Sequence, residues 1–149
     1  MRKVAIPELE FSLWYKWENR NMYQQREYPG VYLIAISNKN LENQNPLFSD
    51  VVYIGMTKRK QGLRGRWQDF QKAINGGEGH SGGKAIFKDK GPYQNWAEKL
   101  YVSAMSIICN VMNPTSDDYI KMGWIAFLEY EAFAKFYEEV GGHPKYNTQ

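Results

Sequence analysis

Apolar residues fall along this chain in two rhythms, and the changes between them mark out the elements. After the turn signal Pro29-Gly30 comes Val31-Tyr32-Leu33-Ile34-Ala35-Ile36, a β-branched and aromatic run that predicts a strand. Residues 37–49 are dominated by Ser, Asn, Lys and Pro and read as a polar loop. Val51-Val52-Tyr53-Ile54-Gly55 predicts a second strand, so residues 31–55 form an antiparallel hairpin with a long loop. Leu63, Trp67, Phe70 and Ile74 recur at helical spacing, and Gly76-Gly77 ends that helix. The five glycines within 76–83 predict an irregular, mobile loop. After Trp96, the run from Leu100 to Val111 predicts a third strand, alternating over Tyr101-Val102-Ser103-Ala104-Met105. Pro114-Thr115-Ser116-Asp117-Asp118 supplies N-cap chemistry, its acids suited to the positive end of a helix. Ile125, Leu128, Ala132, Phe133, Phe136 and Val140 carry a long helix to Gly141-Gly142, with Pro144 beyond. Residues 1–28 form an N-terminal extension whose period fits a short helix or an edge strand equally, and they stay unassigned. The expected order is β-β-α-loop-β-α. It describes one α/β (α+β) domain over residues 1–149, a small three-stranded, mainly antiparallel sheet flanked by helices.

Composition narrows the class. With 149 residues, 43% of them apolar and 15% aromatic, the chain carries enough hydrophobic surface for one core, which excludes a disordered chain. No apolar run nears the roughly 18 residues of a membrane helix, so no membrane partner is expected. The basic start turns polar too soon for a secretory signal. The single cysteine, Cys109, excludes internal disulfides and a multi-cysteine zinc site, and within Ser106-Ile107-Ile108-Cys109 it is expected to be a buried, inert thiol. A cytoplasmic enzyme fits these features. The net charge of +3 says little, but Lys58, Arg59, Lys60, Arg64 and Arg66 crowd together with no acid among them. Such a concentration suits phosphate binding by counterion release, and it suits a solvated helix face equally well.

Several of these features, in this order, resemble the GIY-YIG nuclease superfamily. Gly30-Val31-Tyr32 stands for the first signature tripeptide and Tyr53-Ile54-Gly55 for the second. Gly62-Leu63-Arg64-Gly65-Arg66-Trp67 is similar to the arginine-bearing helix that follows. Gly79-His80-Ser81 matches a glycine-flanked histidine of the homing-endonuclease branch. Glu129 lies on the C-terminal helix, where the family keeps a metal-binding glutamate. Pro144-Lys145-Tyr146-Asn147 looks like the ending of the excision-repair branch. The resemblance runs from residue 29 to 147. The chain departs from the pattern in places. Tyr32 and Tyr53 are 21 residues apart, about twice the family's spacing, and Arg66 follows Tyr53 by 13 residues, which leaves Arg64 as a rival. Glu131 gives the more usual distance to Asn147. Glu129, however, has Ile125 and Phe133 four residues to either side, at the edge of the buried stripe, and is preferred over a Glu131 that pairs with Lys135 on the surface.

The resemblance implies a divalent-metal-dependent endonuclease hydrolysing double-stranded DNA, with Mg²⁺ (or Mn²⁺) held by Glu129 as a Lewis acid. Arg66 would grip the phosphate with its planar, charged fork. Tyr32 and Tyr53 would flank the attacking water, one as general base, with Tyr32 favoured and its pKa lowered by Arg66 and the cation. His80 would orient water or contact the phosphate from a loop that closes on DNA. Asn147 would anchor the site by hydrogen bonds. Lys58, Arg59, Lys60, Arg64 and Lys84 are the candidate backbone contacts. The chain ends two residues after Asn147, so specificity is expected from residues 1–28, 37–50 and 84–99 and the glycine loop, as in a compact restriction-type or phage enzyme. Cutting both strands would call for a homodimer on DNA. The alternatives are a structure-selective nuclease on branched or damaged DNA, and a non-catalytic DNA-binding module on the same scaffold.

Overall fold

The structure is a computed structural model that describes residues 5–147. Strands β1 (Tyr15–Lys16), β2 (Gly30–Ile36), β3 (Val51–Thr57) and β4 (Leu100–Ser106) form one antiparallel sheet in the order β1-β4-β2-β3. The expected long-looped hairpin is β2 and β3. The sheet has four strands where three were expected. The fourth comes from the N-terminal extension, where Tyr15 and Lys16 pair with Val102 and Tyr101. Two residues are too few to leave a period in the sequence. A 3₁₀ segment, Trp17–Met22, follows directly.

Three helices flank the sheet: α1 (Gly62–Ile74), α2 (Ser81–Lys90) and α3 (Ser116–Glu139). The glycine-rich segment expected to be a mobile loop instead delivers the start of α2, with Gly82 and Gly83 inside the helix and buried. Low helix propensity is overridden by packing. A Cβ on Gly83 would lie 2.6 Å from Cβ of Ala73 on α1, so a side chain there would hold the two helices apart. The third strand ends at Ser106, short of Val111. From there the chain leaves the sheet, Ile107 N–H bonding to Pro29 C=O and Asn110 N–H to the Asp118 carboxylate. That carboxylate also accepts from Thr115 N–H at 2.8 Å and Thr115 Oγ1 at 2.9 Å, closing the predicted cap of α3.

β2 lies between β4 and β3 and is buried along nearly its whole length, which explains its unbroken apolar run. Alternate residues feed two cores. Tyr32, Ile34, Tyr53, Val102 and Ala104 pack with Leu63, Trp67 and Phe70 of α1, Ile86 of α2 and Trp17. Val31, Leu33, Ala35, Ile54 and Tyr101 pack with Ile125, Leu128, Ala132 and Phe136 of α3, and with Trp14 and Leu41. β3 is an edge of the sheet, and a cleft beside it is lined from β3, from the start of α2 and from α3. No helix among the described residues is long and apolar enough to cross a membrane.

Candidate active site

The register of the hairpin sets the two tyrosines. Tyr32 stands opposite Gly55 and Tyr53 opposite Ile34, so both side chains leave the sheet on the α1–α2 face. Gly55 is the condition for Tyr32. A Cβ there would lie 2.5 Å from Cζ and 2.6 Å from Oη of the Tyr32 ring. Gly82 does the same for Tyr53, whose Cε1 lies 2.3 Å from where a Cβ would stand. The glycines therefore give the aromatic rings room rather than flexibility.

His80 is the N-cap of α2, and at 2% exposed it is part of the core rather than a residue on a flexible loop. Its Nδ1 accepts a hydrogen bond from Gly83 N–H at 3.0 Å, and its Nε2 lies 2.7 Å from Tyr32 Oη. Phe70 stands edge-on to its ring at 5.0 Å between centroids. Burial, followed by the positive charge of Arg66, pushes the His80 pKa down to about 3, so the ring is neutral.

Arg66 projects from α1 toward the same group. Its Nη1 donates to Gly79 C=O at 3.1 Å and lies 3.7 Å from the Asp69 carboxylate. Its charge lowers the pKa of both tyrosines, but desolvation by burial outweighs it and raises both, that of Tyr32 well above the usual value. Both hydroxyls therefore hold their protons at neutral pH, and the charge of Arg66 does not by itself activate either one. Arg64, the rival for this place, is exposed and lies 3.5 Å from Glu27, on a different side of α1.

Tyr53, 8% exposed, forms part of the wall of an open cleft of about 380 Å³, together with Ser81, Glu129, Tyr130, His143 and Asn147. Glu129 reaches it from α3, half-buried, and makes no hydrogen bond or ion pair among the described residues. Desolvation raises its pKa, and Lys58 opposes that rise. Glu131 does not line this cleft. No group of three or more His, Cys, Asp or Glu side chains placed to hold a metal ion occurs among the described residues. Asn147 clasps the outer edge of β3. Its Oδ1 accepts from Ile54 N–H at 2.9 Å and its Nδ2 donates to Ile54 C=O at 2.8 Å, while Tyr146 N–H bonds to Val52 C=O.

The remaining cations spread out. Lys58 acts on Glu129, and Arg59 pairs with Asp69 beside Arg66. Lys60 borders a separate hollow with Glu27 and Cys109, and Lys84 pairs with Glu78 at 2.7 Å. Cys109 is half-buried and its thiol pKa is raised by desolvation, which fits an inert group. Asp69, Gly82, Ser81 and His143 belong to the site region and were not picked out from the sequence. Only Asp69, three residues from Arg66 on one helix, had a readable signal. No family model, no curated protein and no solved structure matches this chain.

Proposed function

We propose that this chain is a GIY-YIG-type, divalent-metal-dependent endonuclease that hydrolyses phosphodiester bonds of double-stranded DNA, a compact restriction-type or phage enzyme. The observation that carries the proposal is one continuous site. Tyr32, Tyr53 and His80 share a buried cluster with the partly exposed Arg66 beside it, and the cluster opens at Tyr53 onto a cleft walled by the unpartnered carboxylate of Glu129. The helix-flanked sheet with a β2–β3 hairpin and an arginine helix directly after it supports the same family reading.

Glu129 fits a hard cation. A half-buried carboxylate with no internal partner, in an open cleft, suits Mg²⁺ or Mn²⁺, which needs one or two carboxylates and otherwise water and phosphate oxygens. Bound there, the ion would supply Lewis-acid stabilisation of the phosphate and the leaving oxygen. The chain's own residues do the rest. Arg66, permanently charged and half-exposed, neutralises a phosphate oxygen. A tyrosine oxygen takes the proton of the attacking water, and Tyr53 and Ser81 shape the wall against which the scissile bond lies. Lys58 and Arg59, beside the cluster, hold the adjacent backbone phosphates, and Lys60, Arg64 and Lys84 extend that positive surface.

The test is cleavage of supercoiled plasmid, random duplex and branched DNA by the purified protein with Mg²⁺ or Mn²⁺. Discrete duplex fragments with 5′-phosphate ends support the restriction-type reading, and cuts only at junctions move it to a structure-selective nuclease. If no substrate is cut, or if Arg66→Ala and Glu129→Gln cut as fast as the parent, the assignment of this site is wrong.

A further inference from the structure

The hydrogen bonds around His80 have a direction. Gly83 N–H can only donate, so Nδ1, which accepts it at 3.0 Å, carries no proton. A neutral imidazole then carries its proton on Nε2, and Nε2 lies 2.7 Å from Tyr32 Oη. His80 therefore donates and Tyr32 accepts. The reverse arrangement would set Nδ1–H against Gly83 N–H, two donors facing each other where no water reaches, since both His80 and Tyr32 are buried (2% and 0% exposed). With one lone pair of its oxygen taken by His80, the Tyr32 hydroxyl has its own proton to give. Tyr53 is the hydroxyl beside it, its ring centroid 6.2 Å away, and Tyr53 alone of the two lines the cleft. The neighbouring Tyr32 hydroxyl and the Arg66 charge both favour the ionised form of Tyr53.

We propose that His80 is a positioning residue, a fixed hydrogen-bond donor locked in one tautomer by Gly83 N–H, which makes Tyr32 a donor and leaves Tyr53 as the oxygen that accepts a proton in the cleft. The Tyr53 hydroxyl first loses its proton to solvent through the open cleft, Tyr32 and Arg66 stabilising the small ionised fraction, and the proton of the attacking water then moves to the Tyr53 oxygen. His80 neither gives up nor takes a proton during the reaction. This inverts the sequence expectation, in which Tyr32 is the base and His80 a mobile contact. The assignment of roles rests on the nuclease reading; the tautomer does not.

Two measurements test it. Long-range ¹H–¹⁵N spectra of the histidine-labelled protein, assigned with His80→Gln, are expected to show His80 as the Nε2–H tautomer at neutral pH and unprotonated down to pH 5. The Nδ1–H tautomer or an imidazolium at neutral pH overturns the proposal. On DNA, Tyr53→Phe is expected to lose about 10³-fold in cleavage rate, the scale of a lost general base. Tyr32→Phe and His80→Gln are expected to lose less and to be non-additive when combined, because each removes one link of the same chain. Losing the His80 donor also moves the rising limb of the pH–rate profile up by about one unit, which a purely structural role would not do. A Tyr32→Phe protein more damaged than Tyr53→Phe overturns the assignment of the base. If the parent protein cuts no DNA, the nuclease reading fails alone, and the spectra still decide whether His80 is the donor.

Discussion

Replacing Gly82 by alanine sets helix propensity against the seat of Tyr53. The new Cβ would stand 2.3 Å from Tyr53 Cε1 and 2.7 Å from Cδ1 and Cζ. Carbon atoms at rest keep about 3.5 Å, so the ring or the helix must give by roughly 1 Å. The ring has little freedom to do so, with His80 at 5.3 Å and Tyr32 at 6.2 Å between centroids. Overpacking of this kind costs about 1–3 kcal/mol, while alanine gains at most about 1 kcal/mol over glycine in a helix. The net loss is about 0–2 kcal/mol, a fall in Tm of roughly 0–8 °C for a domain of this size. Cleavage should suffer far more, because a 1 Å displacement of a reacting group costs on the order of 100-fold. Differential scanning calorimetry and initial rates of plasmid nicking, measured on the same preparation, separate the two effects. A Gly82→Ala protein with parental Tm and parental rate would refute the claim that Gly82 seats Tyr53.

Other predictions concern the clasp, the histidine and the hydroxyls. Asn147→Ala frees both backbone groups of buried Ile54 at the sheet edge. It should cost about 1–3 kcal/mol, read as a lower urea midpoint. His80, ordinarily near 6.5 and held at about 3 when folded, binds its proton in the unfolded chain first. Its contribution is therefore present above pH 6.5 and lost as pH falls toward 3, about 2 kcal/mol of it between pH 7 and pH 5. Glu129, with its raised pKa, moves stability the opposite way as pH falls. Urea titrations at the two pH values should show the net loss, and His80→Gln should flatten it. Because burial holds both tyrosines protonated, the cleavage rate is expected to climb about tenfold per pH unit from pH 6 to 8. A flat profile would argue against a tyrosine base.

Much of this was legible in the sequence, for a physical reason in each case. The hairpin and α3 carry long, regular apolar periods. Arg66 came from the resemblance alone, which left Arg64 as a rival, and it is the packing of α1 that turns Arg66 toward Tyr32 and Arg64 toward Glu27. β1 was not legible because two residues make no period. α2 was not legible because its glycines look like loop punctuation, whereas Gly82 and Gly83 clear space for Tyr53 and Ala73. That misreading carried His80 with it. A histidine flanked by glycines gives no local sign that it caps a helix against the core. The preference for Glu129 over Glu131 came from neighbours four residues away, and the cleft lies on the Glu129 side.

The clasp of residues 146–147 on β3 has a consequence for solubility. β3 is an outer strand of the sheet, and without the tail the Val52 carbonyl and both main-chain groups of Ile54 would be open to any extended segment that came alongside. Tyr146 N–H and the Asn147 amide fill those positions and so act as a short stand-in for a neighbouring strand. The strand that holds Tyr53 is thus also the place where one molecule would adhere to the next, and three atoms of the tail keep it from doing so.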